Sequence, residues 1–145
     1  MPELINPADP RYQLGVDQMD QTHLEFIDLV NGLHGLERIA FTEQFIKLGE
    51  HTLAHFEAEN RLMAETGFAA IREHMDEHQR MLGELNVIAR QVSRGTLNIA
   101  RAYVSDRLPE WFNLHAMTMD SALAAHLKHV QVINQQGEPN VRVRV

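Results

Sequence analysis

Residues 41–62 read FTEQFIKLGEHTLAHFEAENRL, and their spacing decides the fold. Phe41, Phe45, Leu48, Thr52, His55, Glu59 and Leu62 follow one another in steps of four and three, which places them on one face of an α-helix rather than on alternate sides of a strand. Working outward, Phe26, Val30 and Leu33 form a shorter stripe of the same period, and Ile71, Met81, Leu85, Ile88 and Val92 form a third. Gly35, Gly67 and Gly95 lie near the ends of these stripes, where a left-handed residue closes a helix cheaply. Short connections then make neighbouring helices antiparallel. The stretch from Leu97 to Lys128 is also helical in pattern, with a kink or fresh start expected at Pro109. The spacing predicts an all-α, up-down-up-down four-helix bundle with helices near 20–36, 40–66, 70–93 and 97–130. Residues 1–19, with Pro2, Pro7, Pro10 and Gly15, are expected to form an extended arm lying on it. The alternating Val and Arg after Gly137 suggest a strand or loose tail, so the domain is placed at 1–132 and the tail at 133–145.

Composition bounds what such a bundle can do. With 145 residues, 44% of them hydrophobic and 23% charged, the chain has the make-up of one globular domain. A net charge of −7 disfavours nucleic acid and anionic membranes as partners. The longest apolar runs, 68–71 and 122–125, are four residues each, against the ~20 that a spanning helix needs. With no signal-peptide core in the proline-rich start, the expected compartment is the cytoplasm. Zero cysteines remove disulfides, thiolate metal sites, thiol catalysis and iron–sulfur clusters, whereas nine histidines are present.

The histidines fall in phase with the stripes. His23 extends the first, His55 and Glu59 belong to the second, and His74 and His78 complete the third, so five potential metal ligands occupy core positions on three helices. Burying these groups without partners costs several kcal/mol, a large part of a domain's net stability, and a metal ion compensates directly. His55 with Glu59, and His74 with His78, are i, i+4 pairs whose side chains reach one ion or two adjacent ions. On the fourth helix His115 and Asp120 are five apart, about 140° around a regular helix. One inserted residue would repair this. The apolar pattern agrees, because Trp111 and His115 share a phase, and Asp120, Leu123, Leu127 and Val130 share another after a one-residue slip. His51, a turn before His55, suits a place beside the site rather than on a metal. No chemistry is assigned to His34, His126 or His129, the last two being expected at a helix C-terminus.

Two other metal motifs fit less well. His74–His78 reads HMDEH, matching the inverted zinc-protease pattern with Glu77 as the base, but this leaves His23, His55, Glu59, His115 and Asp120 unexplained. The ferritin-like di-iron bundle uses Glu-x-x-His pairs, and no glutamate here has a histidine three residues on.

The full arrangement resembles the hemerythrin family, specifically its single-domain bacterial members: one His on the first helix, HxxxE on the second, HxxxH on the third and HxxxxD on the fourth. Gly15-Val16 with Met19-Asp20 before His23, the stretch from His55-Phe56 to Met63, and Trp111 four before His115 match the family's flanking residues, and the similarity covers roughly 12–130. The resemblance implies two iron ions bridged by Glu59, Asp120 and an oxo or hydroxo group. One iron would take His74, His78 and His115, and the other His23 and His55, leaving one open position where dioxygen binds reversibly as peroxide. Imidazole-rich ligation favours the ferrous state and so fits reversible binding. Where the family commonly has Leu after the helix-four Trp and Ile after the His, this chain has Phe112 and Ala116, expected beside the dioxygen pocket. Thr22 replaces Gln before the first His and Asn60 replaces a second Glu, changing the hydrogen bonds behind the ligands. The expected function is non-enzymatic dioxygen binding for storage, delivery or sensing. The alternative is a di-iron redox enzyme acting on peroxide or nitric oxide at the same site, and no protein partner can be named.

Overall fold

The computed structural model describes residues 3–135, and its described residues fold into four packed helices with no strand among them. Helix α1 is Asp17–Asn31, α2 is Arg38–Thr66, α3 is Ile71–Ser93, and α4 runs continuously over 98–135. The faces read from the sequence are the buried ones: Phe41, Phe45, Leu48, Thr52, Glu59 and Leu62 on α2, and His74, His78, Met81, Leu85, Ile88 and Val92 on α3. Helix α2 ends at Gly67, whose φ of 67° is left-handed; the Phe68 N–H reaches the Met63 carbonyl and the Gly67 N–H that of Ala64. The same closure recurs after α3, where Gly95 has φ 82° and the Thr96 N–H donates to the Gln91 carbonyl. Both are Schellman turns, which satisfy end carbonyls and reverse the chain.

Three details differ from the sequence expectation. Helix α1 starts and stops earlier than 20–36, because Leu33 stays buried while lying in a turn that closes at Gly35, and the stripe therefore outlasts the helix. The start is set by Asp20, whose carboxylate accepts from the Leu14 and Gly15 N–H groups and folds the arm back on the first turn. The arm itself carries a 3-10 turn, Pro10–Tyr12, and buries Ile5, Tyr12 and Val16. The break expected at Pro109 is present: a π-turn over Tyr103–Arg107 widens the backbone where the ring would meet the Ser105 carbonyl, and α-helical bonding starts afresh at Leu108 with Pro109 in its first turn. Helix α4 also continues to Gln135, past the expected end at 130. The reading of a strand or tail after Gly137 lies outside the described residues.

The core is divided. One apolar cluster, containing Phe26, Phe41, Phe45, Leu85, Trp111 and Phe112, fills the larger part of the bundle, and a second, with Met19, Leu62, Met63, Phe68, Leu123 and Leu127, fills the other end. The buried polar residues are, Thr52 apart, histidines and carboxylates of the metal-ligand pattern.

Because a Cβ on Gly67 would meet nothing within 4 Å, the cost of Gly67→Ala is backbone strain alone, about 1–2 kcal/mol. Urea unfolding of the metal-free variant measures it; an unchanged midpoint would show that the left-handed closure is dispensable.

Candidate metal centre

Each helix contributes to the polar layer from its inward face: His23 from α1, His55 and Glu59 from α2, His74 and His78 from α3, His115 and Asp120 from α4. The five-residue gap on α4 is closed by a π-turn over Ala116–Asp120, which takes up the extra residue and returns Asp120 to the face of His115. All seven side chains are nearly inaccessible, His55 being the most open at 9%.

Their nitrogens and oxygens divide into two unequal groups. The Nε2 atoms of His74 and His78 lie 3.3 and 3.1 Å from Glu59 Oε1, and those of His74 and His115 lie 3.2 and 3.1 Å from Asp120 Oδ1. The other oxygens face the other way: Glu59 Oε2 is 2.9 Å from His55 Nε2, and Asp120 Oδ2 is 2.9 Å from His23 Nε2. Three imidazoles thus share one oxygen from each carboxylate, and two imidazoles share the opposite pair. Glu59, His74, His78 and His115 form one set able to hold a metal ion, and His23, His55 and Glu59 form another.

The donor set fits metal ions better than it fits hydrogen bonding. Despite their proximity, the Nε2 atoms of His74, His78 and His115, both Glu59 oxygens and Asp120 Oδ1 have no hydrogen-bond partner among the described residues, and all are buried. Atoms this close yet not aligned as donor and acceptor are what neighbouring ligands of one ion look like, since two metal bonds of about 2.1 Å at right angles hold their ends ~3 Å apart. Behind the layer, Asn60 Oδ1 accepts from His78 Nδ1 at 2.8 Å, leaving Nε2 free to coordinate. This contact assigns a role to the Asn60 substitution noted in the sequence.

Charge in the metal-free layer is held by protons. Burial lowers the basicity of His74, but the carboxylates of Asp120 and Glu59 outweigh it and push the imidazole up to about 9. Burial opposes His55 likewise, and Glu59 raises it on balance. In His78 burial prevails and the imidazole is pushed down. Burial and mutual repulsion oppose the ionised carboxylates, yet the surrounding imidazoles hold Glu59 and Asp120 well below the usual range.

The remaining candidates are placed as follows. Phe112 is buried with its ring edge-on to His23 at 5.3 Å and stacked on Phe26 at 4.9 Å, and it lines a small cavity shared with His23, His55, Phe56, Trp111, His115 and Asp120. Ala116 is fully buried in the larger core and is not among the residues lining that cavity. Glu77 turns away from the layer to Arg80 and Trp111, so it is not presented to a metal held between His74 and His78 as the zinc-protease pattern requires. Thr22 bonds back within its own helix, its exposed hydroxyl donating to the Gln18 carbonyl. His51 is half-buried, its ring parallel to that of His55 at 6.2 Å. His126 is a correction: instead of lying at a helix end it sits mid-segment, half-buried, and contacts the Thr66 carbonyl and hydroxyl at 3.0 Å, tying α4 to the end of α2. Its i, i+4 surroundings gave no sign of this, because its partner is 60 residues away.

A metal ion held by His74 would displace its proton, so divalent-metal affinity should rise about tenfold per pH unit as pH increases from about 6.5 toward 9. The metal-free protein should show the opposite trend. The raised His74 value stabilises it fully below about 6.5 and is lost as pH climbs through about 9. Anaerobic metal titrations and thermal unfolding across this window test both; a flat affinity profile would show that His74 holds no proton for the metal to displace.

The Hemerythrin HHE cation binding domain, as a family model, matches residues 14–127. A bacteriohemerythrin of Stenotrophomonas maltophilia (strain R551-3) is 28% identical over 137 residues, covering 86% of this chain and 85% of the relative. One of Pseudomonas aeruginosa (strain LESB58) is 32% identical over 69 residues, 45% of each chain. No solved structure gives a significant match. Among the described residues no helix is long and apolar enough to cross a membrane. With four helices packed around a buried cluster able to bind metal, and with more than half its length matched, the chain belongs to the hemerythrin family, as a member of bacterial type.

Proposed function

We propose that the chain holds two iron ions in this layer and binds dioxygen reversibly between them and the aromatic wall beside His23, for storage, delivery or sensing. The observation that carries this is the unequal division of donors. His74, His78 and His115 with Glu59 Oε1 and Asp120 Oδ1 would hold one ion by five protein atoms. His23 and His55 with the two remaining oxygens would hold the other by four, so the two-histidine end offers one protein donor fewer and would be the end with room for a further ligand. The bound iron pair supplies the electrons that dioxygen binding draws on.

What the protein supplies is shelter and selection by size. The cavity at the two-histidine end is small. Phe26, Phe56, Trp111 and Phe112 form its aromatic wall, with His23, His55, His115 and Asp120 lining the rest. This volume supports a diatomic ligand over a larger substrate, and the rings keep water and protons from the site. Phe112 is central to that wall, because it touches His23 on one side and is backed by the Tyr12 ring of the arm at 5.0 Å on the other. Glu59 and Asp120 each face both groups of imidazoles, so each would tie the two ions together.

Anaerobic ferrous loading followed by alternating air and argon should give a visible band that appears and disappears over repeated cycles. Permanent bleaching on the first exposure would overturn reversible binding and favour a redox enzyme. Glu59→Ala should lose both irons and His23→Ala chiefly one, by metal content; a fully loaded Glu59→Ala protein would contradict the assignment. Phe112→Ala should keep its iron but lose the band in air several-fold faster in stopped-flow decay, and an unchanged decay would show that the ring does not guard the site.

A further inference from the structure

Glu77 of the HMDEH run plays no part in the metal layer itself, yet its contacts lead back to the layer by another route. It lies on α3 between His74 and His78 and reaches across to α4, where the buried Trp111 Nε1–H donates to its Oε2 at 3.0 Å. Trp111 stands one turn before His115, and its ring lies on that imidazole at 4.7 Å with an angle of 16° between the planes. Arg80 grips the same carboxylate through both oxygens, at 2.7 and 2.9 Å, the strong bidentate form of ion pair.

Such a chain matters because of what His115 lacks. A ligating histidine normally has its ring plane fixed by a hydrogen bond from the nitrogen that does not bind metal. His78 has that bond, to Asn60. His115 does not, since its Nδ1 is buried without a partner among the described residues. Its ring is held from the face instead. Phe56 stacks on His78 in the same manner, at 3.9 Å and 8°, but a phenyl ring offers no handle by which a neighbour could set its angle. The indole does, through Nε1.

We infer that Glu77 is a positioning residue for His115: by fixing the angle of the Trp111 ring, it sets the plane in which His115 presents Nε2 beside Asp120. The inference rests on the proposed role of His115 as an iron ligand. Arg80 serves by immobilising Glu77. Glu84, which also pairs with Arg80 and bridges to Arg107 on α4 through half-buried ion pairs, makes no contact of this kind with the indole.

The test uses the fully ferrous protein under nitrogen, mixed with a ferrous chelator, with iron release followed by absorbance. Glu77→Ala should speed release of one iron about tenfold, the lower end of what losing a supporting contact behind a metal ligand costs. Glu77→Gln, which keeps a carbonyl acceptor for the indole, should release close to the wild-type rate. Glu84→Ala breaks the ion pairs to Arg80 and Arg107 without touching Trp111 and should leave release unchanged. The indole N–H proton resonance gives a readout independent of iron: it should shift in metal-free Glu77→Ala and stay in place in Glu84→Ala. Wild-type release from Glu77→Ala overturns the inference, and so does equal acceleration by Glu84→Ala, which would mean general loosening between α3 and α4. His115→Ala separates the two levels. If it retains both irons, the ligand assignment falls and the positioning role with it; if it loses one while Glu77→Ala behaves as wild type, only the positioning role falls.

Discussion

Two carboxylates and five imidazoles are packed into a layer with apolar side chains above and below it, and the rest of the structure answers to the cost of placing them there. An ionised group removed from water needs a partner of opposite charge at close range. Without metal, protons shared among the imidazoles supply it, which is why Glu59 and Asp120 stay ionised despite complete burial while His74 holds its proton far above the ordinary range. Divalent ions supply the same charge with a geometry that also engages the nitrogens and oxygens left without hydrogen-bond partners. The layer is therefore a set of donors awaiting cations.

Helix geometry explains how four separate segments meet this demand. Pairs at i, i+4 need nothing beyond a regular helix, and α2 and α3 are regular where they carry theirs. The α4 pair is one residue too far apart, and the backbone widens locally to accommodate it. A second widening, before Pro109, serves the chain rather than the site. Helix α4 is thus adjusted twice, once for chemistry and once for proline, and remains continuous through both.

Much of this was written plainly in the sequence. The stripes of α2 and α3 specify their buried faces because each ligand shares the phase of the apolar residues around it, and the slip between His115 and Asp120 announced a local irregularity on α4. What escaped was set by contacts between distant positions. The end of α1 was misjudged because Leu33 is buried from a turn as readily as from a helix. The attachment of His126 to Thr66, the indole bond from Trp111 to Glu77, and the Tyr12 hydroxyl donating to Asn113 across 101 positions all join elements whose facing no single-helix period can reveal. Pro109 signals a break through its missing N–H and its ring, while the form of that break, a π-turn followed by a fresh α-helical stretch, carries no mark in the sequence.

The division of the core has a consequence for how the molecule holds together as a whole. The cluster around Phe41, Phe45 and Trp111 and the cluster around Met63, Phe68 and Leu127 are joined through the polar layer, so cooperativity between the two halves passes through whatever occupies it. Ions that bind helices α1 to α4 simultaneously make the bundle open as one unit. Exchangeable protons would hold the layer less rigidly, so in the metal-free chain the smaller cluster should open more readily than the larger one. A cation bound there would then couple the two hydrophobic clusters of one bundle to each other.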